Sequence, residues 1–164
     1  GLSNYDGETM KKASDILKEL HVPFIINQNA YNIFDRNPEK NGLIGASAAE
    51  GKGVICYSPL AQGILTDRYL NGIPEDSRAA TNGFLKPEQI TEEKLSKVRV
   101  LNDIAAKRGQ SLAQMALAWI LYNKAVTSVL IGASSSSQIL DNIKCIENYE
   151  FSEEELDRID KAAF

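Results

Sequence analysis

Cysteine, histidine and tryptophan are scarce in this chain, with two, one and one copies among 164 residues, and several function classes fall away with them. Cys56 and Cys145 sit on different expected elements and make no metal-ligand spacing, so no metal site is assigned. Reduced thiols of a cytoplasmic protein are the expectation. No run approaches the roughly 20 apolar residues that span a bilayer, and no cationic start leads into an apolar stretch. Neither a membrane partner nor a signal peptide is therefore expected. Basic residues are also outnumbered, 18 Lys and Arg against 22 Asp and Glu, for a net charge of −4. That balance argues against nucleic acid as a partner, because phosphate backbones attract basic surfaces. A local basic spot for a small phosphorylated ligand stays open. The lone His21 lies in Leu20-His21-Val22-Pro23 and reads as a helix C-terminal cap, not a catalytic base. Position 1 is Gly in place of Met, which is compatible with a fragment, a processed chain or a trimmed one.

What is present is an ordinary globular composition, 43% apolar and 24% charged, long enough for a sizeable core. Helix and strand patterns alternate. Met10, Ala13, Ile16, Leu17 and Leu20 form a helical stripe that starts near Asp6 and stops before Pro23. Phe24 to Ile26 reads as a buried strand, followed by a loop with Asn37-Pro38 and Asn41-Gly42. A short helix is expected from Leu43 to Glu50, and a strand from Val54 to Tyr57. A long polar connection runs from Ala61 to about Pro87. Thr91 can cap a helix bearing Leu95, Val98, Leu101 and Ala105. Ser111 with Gln114, and Ser152 with Glu155, have capping-box spacing before two further helices. Val129 to Ile131 reads as the last strand, ahead of a helix with Ile139, Ile143 and Ile146. Leu-Ile-Gly-Ala-Ser occurs at 43–47 and at 130–134, the first copy read as helix and the second as strand then loop. Apolar strands separated by helices indicate a parallel sheet covered on both faces. Three full strands are legible, with Gly1-Leu2-Ser3-Asn4-Tyr5 reading as the end of a fourth. A closed barrel of this kind takes eight strands and about 250 residues, so this chain alone does not close one.

Polar residues gather where these strands end, which is where a β/α barrel keeps its active site. Ser3, Asn4 and Gln28 offer hydroxyl and amide groups that could meet a planar carboxamide, or could simply cap a helix and a strand end. Tyr57 could stack on a flat ring, although an aromatic residue in a strand is more often core. Ser134 to Ser137 could present hydroxyls and backbone N–H groups to a phosphate, or form a serine-rich N-cap. Arg68 and Arg78, taken singly, read as solvated.

The ordered set Ser3-Asn4, Asn27-Gln28, Tyr57-Ser58-Pro59-Leu60, Ile73-Pro74-Glu75-Asp76-Ser77-Arg78 and Gly132-Ala133-Ser134 with Gln138 and Asn142 resembles the C-terminal half of an aldo-keto reductase. The branch it resembles is that of bacterial reductases related to potassium-channel β subunits. The resemblance implies an α/β fold, the C-terminal half of a (β/α)8 TIM barrel with parallel strands alternating with helices. Residues 1–164 would then supply the last three to four βα units and a C-terminal helix. It implies NADP(H) as cofactor and a small aldehyde or ketone as substrate. The implied cofactor-binding residues are Ser3, Asn4, Gln28, Tyr57, Ser58, Pro59, Leu60, Gly63, Arg68, Arg78, Gly132, Ser134, Gln138, Asp141 and Asn142. Of these, Ser134, Gln138, Arg68 and Arg78 fall to the adenosine 2′-phosphate, and Asp141 and Asn142 to the adenine. Ser135 and Asp141 depart from the family pattern, which often has a basic or amide side chain at the first position and glutamate at the second. The family's catalytic aspartate, tyrosine, lysine and histidine belong to the half that would precede Gly1. No catalytic residue is assigned, and the isolated chain is expected to bind cofactor poorly and to be inactive. Two other readings stay open: a non-catalytic NADP-binding regulatory subunit of the channel-β type, and a half-barrel that pairs with a copy of itself.

Overall fold

Four short strands, β1 (Leu2–Ser3), β2 (Ile26–Ala30), β3 (Gly53–Tyr57) and β4 (Val126–Val129), lie side by side in chain order, and every pair is parallel. Parallel neighbours need a crossover, and helices supply it. The computed structural model describes residues 1–81 and 84–164. Two positions of the polar connection, 82 and 83, lie outside the described residues. The rest divides into two units, one of Gly1–Pro59 with Ile120–Gly132, the other of Leu60–Trp119 with Ala133–Phe164.

The first unit holds the sheet, α1 (Gly7–Glu19), α2 (Asn37–Lys40), α3 (Leu43–Ala49) and the last turn of α5 (Leu112–Tyr122). Asp6 opens α1 by accepting a hydrogen bond from the Thr9 N–H at 2.7 Å. His21 closes it at φ 56°, with its N–H on the Lys18 carbonyl and the Val22 N–H on the Leu17 carbonyl. That is the paired closure expected of a left-handed cap, so His21 works through its backbone. Gly7 lets α1 approach the preceding loop of α3: a Cβ there would lie 2.5 Å from the Gly42 carbonyl oxygen. Met10, Phe24, Leu43 and Ala46 form the core between sheet and helices, with Leu2 and Leu17 against it.

Two strands sit elsewhere than their apolar runs suggest. Phe24 to Ile26 was the expected strand, yet β2 begins at Ile26 and runs through Asn27, Gln28 and Asn29. Phe24 is core outside the sheet, and Ile25 is 74% exposed. In β2, Asn27 donates to Asn29 at 2.6 Å and Asn29 donates to the Tyr5 carbonyl at 3.2 Å, while the buried Asn27 Oδ1 has no hydrogen-bond partner among the described residues. β4 ends at Val129, where Val129 to Ile131 was expected. Pairing with β3 extends only to the Leu130 N–H on the Cys56 carbonyl, 2.8 Å, so the second Leu-Ile-Gly-Ala-Ser copy is irregular where the first is α3.

The second unit carries α4 (Glu92–Lys107), the first part of α5, α6 (Ser136–Asn142) and α7 (Glu153–Ala163). All three expected caps form: Thr91 accepts from Lys94 N–H, and Ser111–Gln114 and Ser152–Glu155 bond reciprocally. The polar connection contains short 3₁₀ turns at Ala61–Gly63, Asp67–Tyr69 and Pro87–Gln89, and buries Ile64, Leu65, Tyr69 and Leu85. The expected apolar stripe after β4 is a correction. Ile139, Ile143 and Ile146 are 47%, 51% and 63% exposed, while Asn142 and Cys145 are buried. α6 gives way to a 3₁₀ segment, Ile143–Asn148, and the face that carries the three isoleucines is the exposed one. No helix among the described residues is long and apolar enough to cross a membrane.

Candidate functional site

The sheet register decides which side chains share a face. Ser3 pairs with Gln28 and Gln28 with Ile55, and side chains two apart in a strand point the same way. Ser3, Gln28 and Tyr57 therefore project from one face, near the C-terminal ends of β1, β2 and β3. Asn27, Asn29, Val54 and Cys56 project from the other and are buried. Burial pushes the Cys56 thiol up to about 12, which leaves it a neutral packing group.

Around Tyr57 the backbone is drawn tight. The Asn4 N–H donates to the Gln28 carbonyl at 2.9 Å, and the Ser3 hydroxyl donates to the same oxygen at 3.2 Å. The Tyr57 hydroxyl donates to Asn4 Oδ1 at 3.0 Å. Asn4 and Ser58 hold φ of 60° and 52°, a region that residues other than glycine rarely adopt. Such residues cluster at ligand sites, where the surrounding structure over-determines them. Pro59 is buried, Ser58 is half-buried, and Gly132 is exposed beyond β4. A half-exposed phenol ring held at its hydroxyl, with hydroxyl and amide groups on the same face, suits a planar ligand that both donates and accepts.

The remaining sequence-selected residues belong to the second unit. Leu60 is half-buried and begins the turn in which the Gly63 N–H meets its carbonyl at 2.8 Å. Ala61 and Gln62 continue the left-handed backbone, with φ of 47° and 60°, and Gly63 has φ 100°. Arg68 is exposed and ion-paired with Asp76 at 2.8 Å, and Arg78 is exposed. Ser134 and Gln138 are together, with the serine N–H and hydroxyl both donating to Gln138 Oε1 at 2.8 and 3.2 Å. Ser135, not Ser134, is the residue that caps α6. Asp141 accepts from Gln114 Nε2 at 2.9 Å and lies 3.6 Å from Lys144 Nζ, and Asn142 is buried. Among the described residues, no group of three or more His, Cys, Asp or Glu could hold a metal ion.

Sequence reading missed two supporting side chains. Gln114 reads as half of a capping box, but its other end holds Asp141. Asn32 carries no motif, yet it spans the turns after β2 and β3: it accepts from the Phe34 and Asp35 N–H groups and donates to the Ser58 carbonyl at 3.0 Å. The only local signal is an asparagine three residues before an aspartate, which fits an Asx turn.

The parallel α/β sheet and the polar strand ends define the class, and the aldo/keto reductase family model matches residues 1–163: this chain belongs to that family. Among curated relatives are the L-glyceraldehyde 3-phosphate reductases of two Escherichia coli strains, 46% and 45% identical over 165 residues, covering 98% of this chain and 48% of theirs. A probable voltage-gated potassium channel subunit beta of Oryza sativa subsp. japonica is 35% identical over 151 residues, 90% of this chain and 46% of that protein. Among solved structures, a thermostable aldo-keto reductase in complex with the inhibitor epalrestat superposes with a TM-score of 0.70 at 26% identity, over 99% of this chain and 47% of the other. The chain thus spans about half the length of the relatives it matches, in keeping with a half of a TIM barrel.

Proposed function

We propose that this chain is the cofactor-binding half of a cytoplasmic, NADPH-dependent aldo-keto reductase that turns small aldehydes or ketones into alcohols. Residues 1–164 supply the last three to four βα units of its barrel and a C-terminal helix. The observation that carries this is the shared face of Ser3, Gln28 and Tyr57, with the Tyr57 hydroxyl on Asn4. Tyr57 gives the nicotinamide a flat ring to lie on, and Ser3, Asn4 and Gln28 give its carboxamide a donor and acceptors. Ser134, Gln138, Arg68 and Arg78 suit the adenosine 2′-phosphate, since hydroxyls and guanidinium groups are good phosphate partners. The same reading gives Gly132, Leu60 and Gly63 to the cofactor, and Asp141 and Asn142 to its adenine. When bound, the nicotinamide would supply the hydride for the carbonyl carbon. The reading assigns no residue of this chain as the proton donor to the carbonyl oxygen, a role that calls for an acid with a tuned pKa.

The test compares two proteins under identical conditions, the 164-residue chain and the chain preceded by the remaining half of its barrel. NADPH oxidation is followed with glyceraldehyde and with glyceraldehyde 3-phosphate. Turnover by the longer protein alone is the expected result. Robust turnover by the 164 residues, or failure of the longer protein to bind NADPH, would overturn the reading. The resemblance to a channel β subunit favours a second reading, a cofactor-binding regulatory subunit. A preceding half without the tyrosine and lysine of the tetrad would select it.

A further inference from the structure

We propose that Asn32 is a positioning residue for the nicotinamide platform, holding the Tyr57–Ser58 turn through a hydrogen bond to the Ser58 carbonyl. The inference rests on the reading of Tyr57 as that platform.

Asn32 is 4% exposed and lies two residues beyond the end of β2. Its Oδ1 accepts from the Phe34 N–H at 2.9 Å and the Asp35 N–H at 3.0 Å, while Nδ2 donates to the Ser58 carbonyl at 3.0 Å. These partners set the amide's orientation, because two N–H groups demand an acceptor and a carbonyl demands a donor. Its backbone is fixed as well, bonded both ways to Asp35 at 3.0 and 3.1 Å. One residue earlier, the Tyr31 N–H meets the Tyr57 carbonyl at 3.4 Å. Tyr31 is 1% exposed, and its hydroxyl donates to Glu39, a carboxylate that also takes Arg36 at 2.8 Å. The segment after β2 is thus a rigid post, and Asn32 is the side chain through which it grips the next strand end. What it grips needs gripping: Ser58 sits at φ 52°, a conformation that persists only under external constraint. Ser58 in turn sets the direction in which the chain leaves Tyr57.

Asn32→Asp turns the contact with Ser58 from a bond into a meeting of two acceptors. A carboxylate still accepts from Phe34 and Asp35, so the turn survives, but it cannot donate to Ser58. In the full-length protein carrying this chain, Asn32→Asp, Asn32→Ala and Tyr57→Leu are titrated with NADPH and with its adenosine bisphosphate half, which lacks the nicotinamide. Asn32→Asp should weaken NADPH about tenfold and change the adenosine bisphosphate by less than about twofold. Asn32→Ala, which also loses the turn, should show the same selectivity with a larger drop in Tm. Equal weakening of both ligands would make Asn32 merely structural and overturn the proposal. So would unchanged NADPH affinity in Asn32→Asp alongside a clear loss in Tyr57→Leu. If Tyr57→Leu itself leaves NADPH unaffected, the platform reading fails first and takes this inference with it.

Discussion

Cys56 and Tyr57 are neighbours in β3, yet strand alternation sends the thiol into the core and the phenol to the half-exposed face. Cys56 is fully buried, and burial raises its pKa from the ordinary 9.0 to about 12. An acid whose folded pKa lies above its unfolded value keeps its proton longer in the native state. The contribution to stability is therefore complete below the unfolded value and declines between the two, by at most about 1.4 kcal/mol per pH unit. Urea melts should accordingly show stability falling as pH rises from 9.0 toward 12, and Cys56→Ala should flatten that fall. Iodoacetamide should leave Cys56 unmodified in the native protein at mildly alkaline pH and label it once urea unfolds the chain. Rapid native labelling would show that the sheet opens at β3.

At the scale of elements, Arg108 organises the meeting of α4 and α7. Its side chain is 3% exposed and donates to Glu155 at 2.8 Å, to the Asn148 and Glu150 carbonyls at 2.9 Å each, and to Gln110 at 2.9 Å. The guanidinium carbon also lies 3.8 Å from the centre of the Phe151 ring. Arg108→Ala removes the ion pair to Glu155 and the bonds to both carbonyls together, and should cost about 3 kcal/mol in urea unfolding. Ser152→Ala removes one cap bond and should cost about 1 kcal/mol. Equal losses would mean the guanidinium contributes no more than a cap. Burial alone would raise the Glu155 pKa, but the Ser152 N–H and Arg108 outweigh it and hold it below the usual value. That stabilising contribution is present above the unfolded pKa and is lost as pH falls through the folded one. The caps of α4, α5 and α7 were legible because each joins groups three residues apart. The α6 stripe misled because spacing reports an apolar face without saying whether anything covers it.

On the scale of the whole molecule, each unit leaves apolar surface uncovered. The first exposes Ile16, Leu20, Val22 and Ile25, and the second exposes Ile139, Leu140, Ile143 and Ile146. Among the described residues, β1 and β4 each have one unpaired edge. Open parallel edges and exposed aliphatics promote association. Sedimentation of the isolated 164-residue chain should therefore show concentration-dependent oligomers, and supplying the other barrel half should suppress them. A monodisperse monomer at high concentration would show that these faces tolerate water.

Local rules carried the sequence far. Caps, helix periods and the alternation of helix with strand were enough for α1, α3, α4, α5, α7 and the parallel α/β class, and the ordered motifs were enough for the family. Those signals act over three or four residues, so a single chain displays them. Where β2 and β4 begin and end could not be read that way, because a strand extends as far as a neighbour's carbonyls and N–H groups extend. Asn32 with Ser58, Tyr57 with Asn4, and Gln114 with Asp141 join residues 26, 53 and 27 apart. No local pattern encodes such distances; they arise only when the folded sheet and helices bring the two partners to hydrogen-bond range.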